Sequence, residues 1–148
     1  MNNKLRTKSG LDILIPVYNE VHISDVLDLL ERDVTIPFRV LICYDNDSDK
    51  TFDSYNSENY TFDIVPVKNI DRGPHSVIMT GFSVSESFAL LVYPADDILN
   101  TRIIDKMYEK ALSGSDVVVA SRFIKGGSMK NCPFLKGLLV RLASFSLY

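Results

Sequence analysis

The chain has 148 residues, 46% hydrophobic and 24% charged, with a formal net charge of −3. That length favours one domain with a core that needs no disulfide staples, and the composition excludes disorder, collagen and a small disulfide scaffold. So small a net charge gives no footprint for nucleic acid.

Leu11 to Ile15 reads as a first strand, stopped by Pro16. Ile23, Val26, Leu27 and Leu30 fall at i, i+3, i+4 and i+7, which predicts a helix face. Phe38 to Tyr44 is a second strand, and Lys50 to Asn56 suits a short helix. Phe62 to Val67 is a third strand, and Pro66 places it towards a sheet edge because proline cannot donate to the ladder. Ser76 to Ser87 is read as a helix and Ala89 to Tyr93 as a fourth strand. Asn100 is a candidate cap for a helix carrying Ile103, Ile104, Met107, Ala111 and Leu112, closed by Gly114. Val117 to Val119 is read as a fifth strand and Phe134 to Leu147 as a last helix. Such alternation predicts an α/β fold, a mostly parallel sheet with helices on both faces.

No apolar run approaches the ~20 residues that span a bilayer, and residues 1–10 are too polar for a signal peptide. Cys43 and Cys132 are too few for a disulfide framework or a zinc site, so a reducing cytoplasm is the default. Residues 1–148 are read as one domain: a polar tail over 1–10, a core over 11–127 and an amphipathic terminal helix over 133–148. That helix has one apolar face, with Lys136 and Arg141 off it. It suits either an ordinary core helix or an interfacial or homodimer-forming one at a membrane surface.

Ligands of open α/β sheets bind beyond the carboxyl ends of the strands. Polar clusters stand where those ends are expected: Pro16 to Glu20, Asp45 to Asp49, and Asp96-Asp97. Each alone is more often a turn or a helix cap. There is no G-x-G-x-x-G and no G-x-x-x-x-G-K-[ST], which argues against a dinucleotide Rossmann site and a P-loop. Without a glycine cradle, a bound diphosphate needs another counter-charge. A carboxylate-held Mg²⁺ or Mn²⁺ supplies one.

Residues 11–127 resemble the nucleotide-sugar-binding part of the family-2 glycosyltransferases, which have the GT-A fold. The closest likeness is to the polyprenyl-phosphate sugar synthases, such as dolichyl-phosphate mannose synthase. Pro16-Val17-Tyr18-Asn19-Glu20 matches the opening P-x-Y-N-E. Asp45 to Thr51 resembles D-D-G-S-x-D-x-T, one residue short. Gly73-Pro74-His75 stands where the family has G-L-G, and Thr80-Gly81-Phe82 follows at the family's spacing. Pro94-Ala95-Asp96 falls on D-A-D, and Ser121-Arg122-Phe123 with Gly126-Gly127 resembles S-R-[YF]-x-x-G-G.

The resemblance implies transfer of a sugar from a nucleoside-diphosphate sugar, with inversion, to a polyprenyl phosphate or a cell-envelope glycan. It implies that Pro16, Tyr18 and Glu20 line the nucleoside pocket and that Asp45 accepts a hydrogen bond from the base. Asn46, Asp47 and Gly73 join the substrate-binding set. Asp96 matches the metal-binding aspartate, Arg122 suits phosphate, and the expected place is the cytoplasm at the inner face of a membrane. A lipid phosphate acceptor is already ionised and needs no base, whereas an alcohol needs one, for which Asp97 is the nearby candidate.

Three substitutions depart from the family pattern. Pro94 replaces the first aspartate of D-x-D, so Asp96 and Asp97 are expected to share the metal. Asn46 replaces the second aspartate of the D-D pair and keeps an acceptor without the charge. His75 replaces a glycine in a loop where a positive φ is expected. The family's catalytic domain also continues well beyond 148 residues, so the chain reads as a fragment or as a nucleotide-sugar-binding module without turnover.

Overall fold

Branched and apolar residues build four strands: β1 (Lys8–Pro16), β2 (Phe38–Tyr44), β3 (Asp63–Lys68) and β4 (Ser87–Val92). Three helices lie between and after them: α1 (Ile23–Asp33), α2 (Pro74–Val84) and α3 (Ile104–Leu112). The structure is a computed structural model and describes residues 8–71 and 73–122. The strands form one parallel sheet in the order β3-β2-β1-β4. Register pairs Ile13 with Val40 and Leu91, and Tyr44 with Lys68. Pro66 does lie on an edge strand, where its missing N–H costs no ladder bond.

Strand alternation divides the core between two faces. Leu11, Ile13, Ile15, Val40 and Ile42 pack with Ile23, Val26, Leu27 and Leu30 of α1 and with Ile104 and Tyr108 of α3. Leu14, Leu41 and Cys43 pack with Val77 of α2 on the opposite face. Helices therefore cover both faces, as the alternation predicts. Gly81 brings α2 close to the sheet: a Cβ there would lie 1.8 Å from Leu14 Cδ1 and 2.8 Å from Leu14 Cγ.

Several boundaries differ from expectation. β1 starts at Lys8, inside the stretch read as a polar tail. Only Lys50–Asp53 of the short helix forms, as one 3₁₀ turn. The buried face of α3 is Ile104 and Tyr108, whose hydroxyl accepts the Gly10 N–H at 3.2 Å, while Leu112 and, just before the helix, Ile103 are exposed. Val117 to Val119 carry no strand, and Val117 and Val119 are 79% and 77% exposed. Branched residues favour a strand only where a neighbouring strand pairs with them.

The chain divides into two compact units, Met1–Ser115 and Asp116–Tyr148. The first holds the sheet and the three helices described above. Of the second, residues 116–122 are described, and they carry no helix or strand. The expected terminal helix, Cys132 and the Phe123 and Gly126-Gly127 part of the family-like segment lie outside the described residues. Among the described residues no helix is long and apolar enough to cross a membrane.

Candidate functional site

The chain passes β1, β2 and β3 to one side and then crosses β1 to place β4 on the other. Strand order therefore reverses between β1 and β4, and that switch point is where open α/β sheets bind ligands. Two loops leave the carboxyl edge there, Val17–Glu20 after β1 and Tyr93–Asn100 after β4. The β2 loop, Asp45–Asp49, lies on the far side of β1.

The β1 loop is held by the β2 loop. Val17 donates its N–H to the Cys43 carbonyl at 2.9 Å. Asn19 donates its backbone N–H to Asp49 Oδ1 at 3.0 Å, and Glu20 donates its own to Thr51 Oγ1 at 2.8 Å. In return Lys50 donates its N–H to Asn19 Oδ1 at 3.1 Å. Asp49 and Thr51 are buried. Asn19 has φ 52°, a left-handed conformation that asparagine tolerates better than most residues. This brace leaves Tyr18 77% exposed at the edge of the sheet. Pro16, half-buried, ends β1, and Glu20 Oε1 accepts the His22 N–H.

Asp45 is held from β3 and α2. Its Oδ1 accepts from Asn69 Nδ2 at 2.7 Å, and its Oδ2 accepts the Gly73 N–H at 3.3 Å. Gly73 has φ 105°, so the positive φ expected in this loop falls on glycine, and His75 sits in the first turn of α2. Asn46 Oδ1 accepts the Ser48 N–H at 3.3 Å, and Asp47 pairs with Lys68, both near solvent.

The β4 loop treats its two aspartates differently. Asp97 Oδ1 accepts the N–H groups of Leu99 and Asn100 at 2.9 and 3.2 Å, and the Asn100 side-chain amide donates to both carboxylate oxygens. Asn100 does stand at the N-cap of the 3₁₀ turn (Thr101–Ile103) that leads into α3, but its side chain makes no capping bond and donates to Asp97 instead. The Tyr93 hydroxyl donates to the Asp97 carbonyl at 2.8 Å, and burial pushes the Tyr93 phenol above its ordinary range. Asp96 is exposed and has no hydrogen-bond partner among the described residues.

Among the described residues no three His, Cys, Asp or Glu side chains form a cluster that could hold a metal ion. A single free carboxylate still fits Mg²⁺ or Mn²⁺, since Mg²⁺ is commonly held by one or two carboxylates together with substrate phosphates. Asp96 meets that requirement, whereas the carboxylate of Asp97 has a competing use inside its own loop. Of the expected site residues, Pro16, Tyr18, Glu20, Asp45, Asn46, Asp47, Gly73, Asp96 and Asp97 gather at the carboxyl edge of the sheet. Arg122 is exposed in a turn of the second unit. Asn69, buried and hydrogen-bonded to Asp45 at this edge, was not among the residues expected from the sequence.

No protein-family model matches the chain. The chain is similar to a dolichol-phosphate mannosyltransferase of Pyrococcus furiosus, with 23% identity over 132 residues. The match covers 87% of this chain and 38% of the relative, so the chain spans well under half of that protein's length. Among solved structures it is similar to S. aureus TarS 1-349, with a TM-score of 0.62 and 16% identity, over 78% of this chain and 40% of the other. Sheet order, helix placement and this likeness agree on one conclusion: the chain has the α/β GT-A fold, similar to that of family-2 glycosyltransferases.

Proposed function

We propose that the chain forms the donor-binding part of a metal-assisted glycosyltransferase. The donor is a nucleoside-diphosphate sugar, and the sugar passes with inversion to a lipid phosphate or a cell-envelope glycan. The observation that carries this reading is the free Asp96 carboxylate at the strand-order switch, on the same sheet edge as the braced Tyr18 loop and Asp45. Tyr18 offers a flat exposed face for the base, lined by Pro16 and Glu20. Asp45 offers acceptor lone pairs to a ring or exocyclic N–H. Asn46 and Asp47 border the ribose side, and Asp96 holds Mg²⁺ or Mn²⁺. The ion's chemistry is to neutralise charge on the leaving diphosphate.

The same loop favours one of the two acceptors. An alcohol needs a general base, but Asp97 is occupied by Leu99 and Asn100. An acceptor already ionised, such as a polyprenyl phosphate, needs none. The name of the Pyrococcus relative agrees with that choice. With such an acceptor the site works at the inner face of a membrane.

Thermal stability measured against UDP, GDP, CMP and dTDP, with and without Mn²⁺, tests the reading. A ligand that binds only the native state stabilises it by ~2.7 kcal/mol at a hundredfold excess over Kd. A metal-dependent rise with one nucleotide is expected, and no rise with any of them contradicts it. Pro94, in place of the first aspartate of D-x-D, favours a second reading, a module that binds nucleotide-sugar without turning it over. It differs in giving the same rise in stability but releasing no nucleoside diphosphate.

A further inference from the structure

We infer that Asn69 is a positioning residue for the donor site: it fixes the Asp45 carboxylate in the orientation that receives the nucleoside. The inference rests on the nucleotide-binding reading of Asp45. Asn69 follows β3, is 8% exposed, and has both polar atoms of its side chain committed. Its Oδ1 accepts two hydroxyl protons, from Ser76 at 3.0 Å and Thr80 at 2.7 Å, both on α2. Its backbone N–H donates to the Tyr44 carbonyl at 2.8 Å, the residue just before Asp45.

Those bonds set the direction of the amide. With Oδ1 taken by two hydroxyls, Nδ2 faces Asp45, and it donates to Oδ1 at 2.7 Å. The reverse orientation would put an amide oxygen against a carboxylate, which only accepts hydrogen bonds when ionised. The Gly73 N–H takes the second Asp45 oxygen from another direction. A carboxylate held at both oxygens by donors from two elements cannot rotate, and its remaining lone pairs keep one heading. Preorganisation of this kind lowers the ordering cost of binding. Asn69 acts through Asp45 and needs no contact with the ligand.

A double-mutant cycle in nucleotide affinity tests this. UDP, GDP, CMP and dTDP are titrated calorimetrically with Mn²⁺ into the whole chain and its Asn69→Ala, Asp45→Asn and doubly substituted variants. Residues in one hydrogen-bond network couple, so Asn69→Ala is expected to weaken binding by about tenfold when Asp45 is present. In the Asp45→Asn background the same change should cost less than about twofold. Thr80→Val runs through the same cycle should show a smaller loss of the same Asp45-dependent kind, and it serves in place of Asn69→Ala if that variant does not fold. Equal losses in both backgrounds, or no loss with Asp45 present, overturn the inference while leaving the nucleotide site intact. Failure of the unsubstituted chain to bind any of UDP, GDP, CMP and dTDP overturns the reading of the site itself.

Discussion

Asp49 Oδ1 accepts two backbone N–H groups at once, from Asn19 at 3.0 Å and from Thr51 at 2.9 Å. One buried oxygen therefore joins the loop after β1 to the turn after β2. A buried donor left without a partner costs about 1–3 kcal/mol. Asp49→Ala is expected to lower stability by about that much, read from urea unfolding. Asp49→Asn keeps an oxygen in place and should lose less than half as much.

The two aspartates after β4 should separate cleanly. Asp97→Ala removes the cap on Leu99 and Asn100 and should cost about 1 kcal/mol of stability. Asp96→Asn breaks no hydrogen bond and should leave the melting temperature unchanged, yet abolish the Mn²⁺ dependence of nucleotide binding. Thermal unfolding of both variants, with nucleotide and with and without metal, checks the pair.

Gly81→Ala should be costly for a reason of space alone. The added carbon meets Leu14, which is fully buried and has nowhere to turn. Overpacking of this kind costs about 1–3 kcal/mol. Shrinking Leu14 to Val in the same chain should recover part of the loss, and the melting temperatures of the single and double variants decide it.

A buried ion pair sets the acid limit. Burial alone would raise the Asp12 carboxyl, but hydrogen bonds from Arg39 at 2.6 Å and Ser87 at 2.7 Å outweigh it and hold it at about 2. A folded value below the ordinary 3.8 means the stabilisation is complete above pH 3.8 and is lost as pH falls towards 2. Acid unfolding should therefore steepen across that window. Asp12→Asn should remove the steepening and lower stability at neutral pH, because it removes the carboxylate that takes two hydrogen bonds from Arg39.

Much of this was legible in the sequence, and particular residues say why. Ile23, Val26, Leu27 and Leu30 announce α1 because every one is fully buried. Pro66 marks an edge strand through its own missing donor. The three loop clusters were legible because parallel strands gather them at one edge. Val117 to Val119 misled because three branched residues show strand propensity without showing a partner. Asn100 stands at the expected cap position, but its side chain is drawn to Asp97, and only the loop geometry decides which of the two accepts. Asn69 was invisible: its partners Asp45, Ser76 and Thr80 lie on two other elements, and no local pattern links them.

The central claim is a nucleotide site along the carboxyl edge of the sheet, from the β1–β4 switch to the loops after β2 and β3. Amide chemical shifts recorded while each of UDP, GDP, CMP and dTDP is added with Mg²⁺ test it most directly. The account predicts shifts confined to residues 16–20, 45–51, 69–73 and 94–97. Shifts gathered instead around Asp12, Arg39 and Ser87 at the opposite edge, or none with any of UDP, GDP, CMP and dTDP, would contradict it.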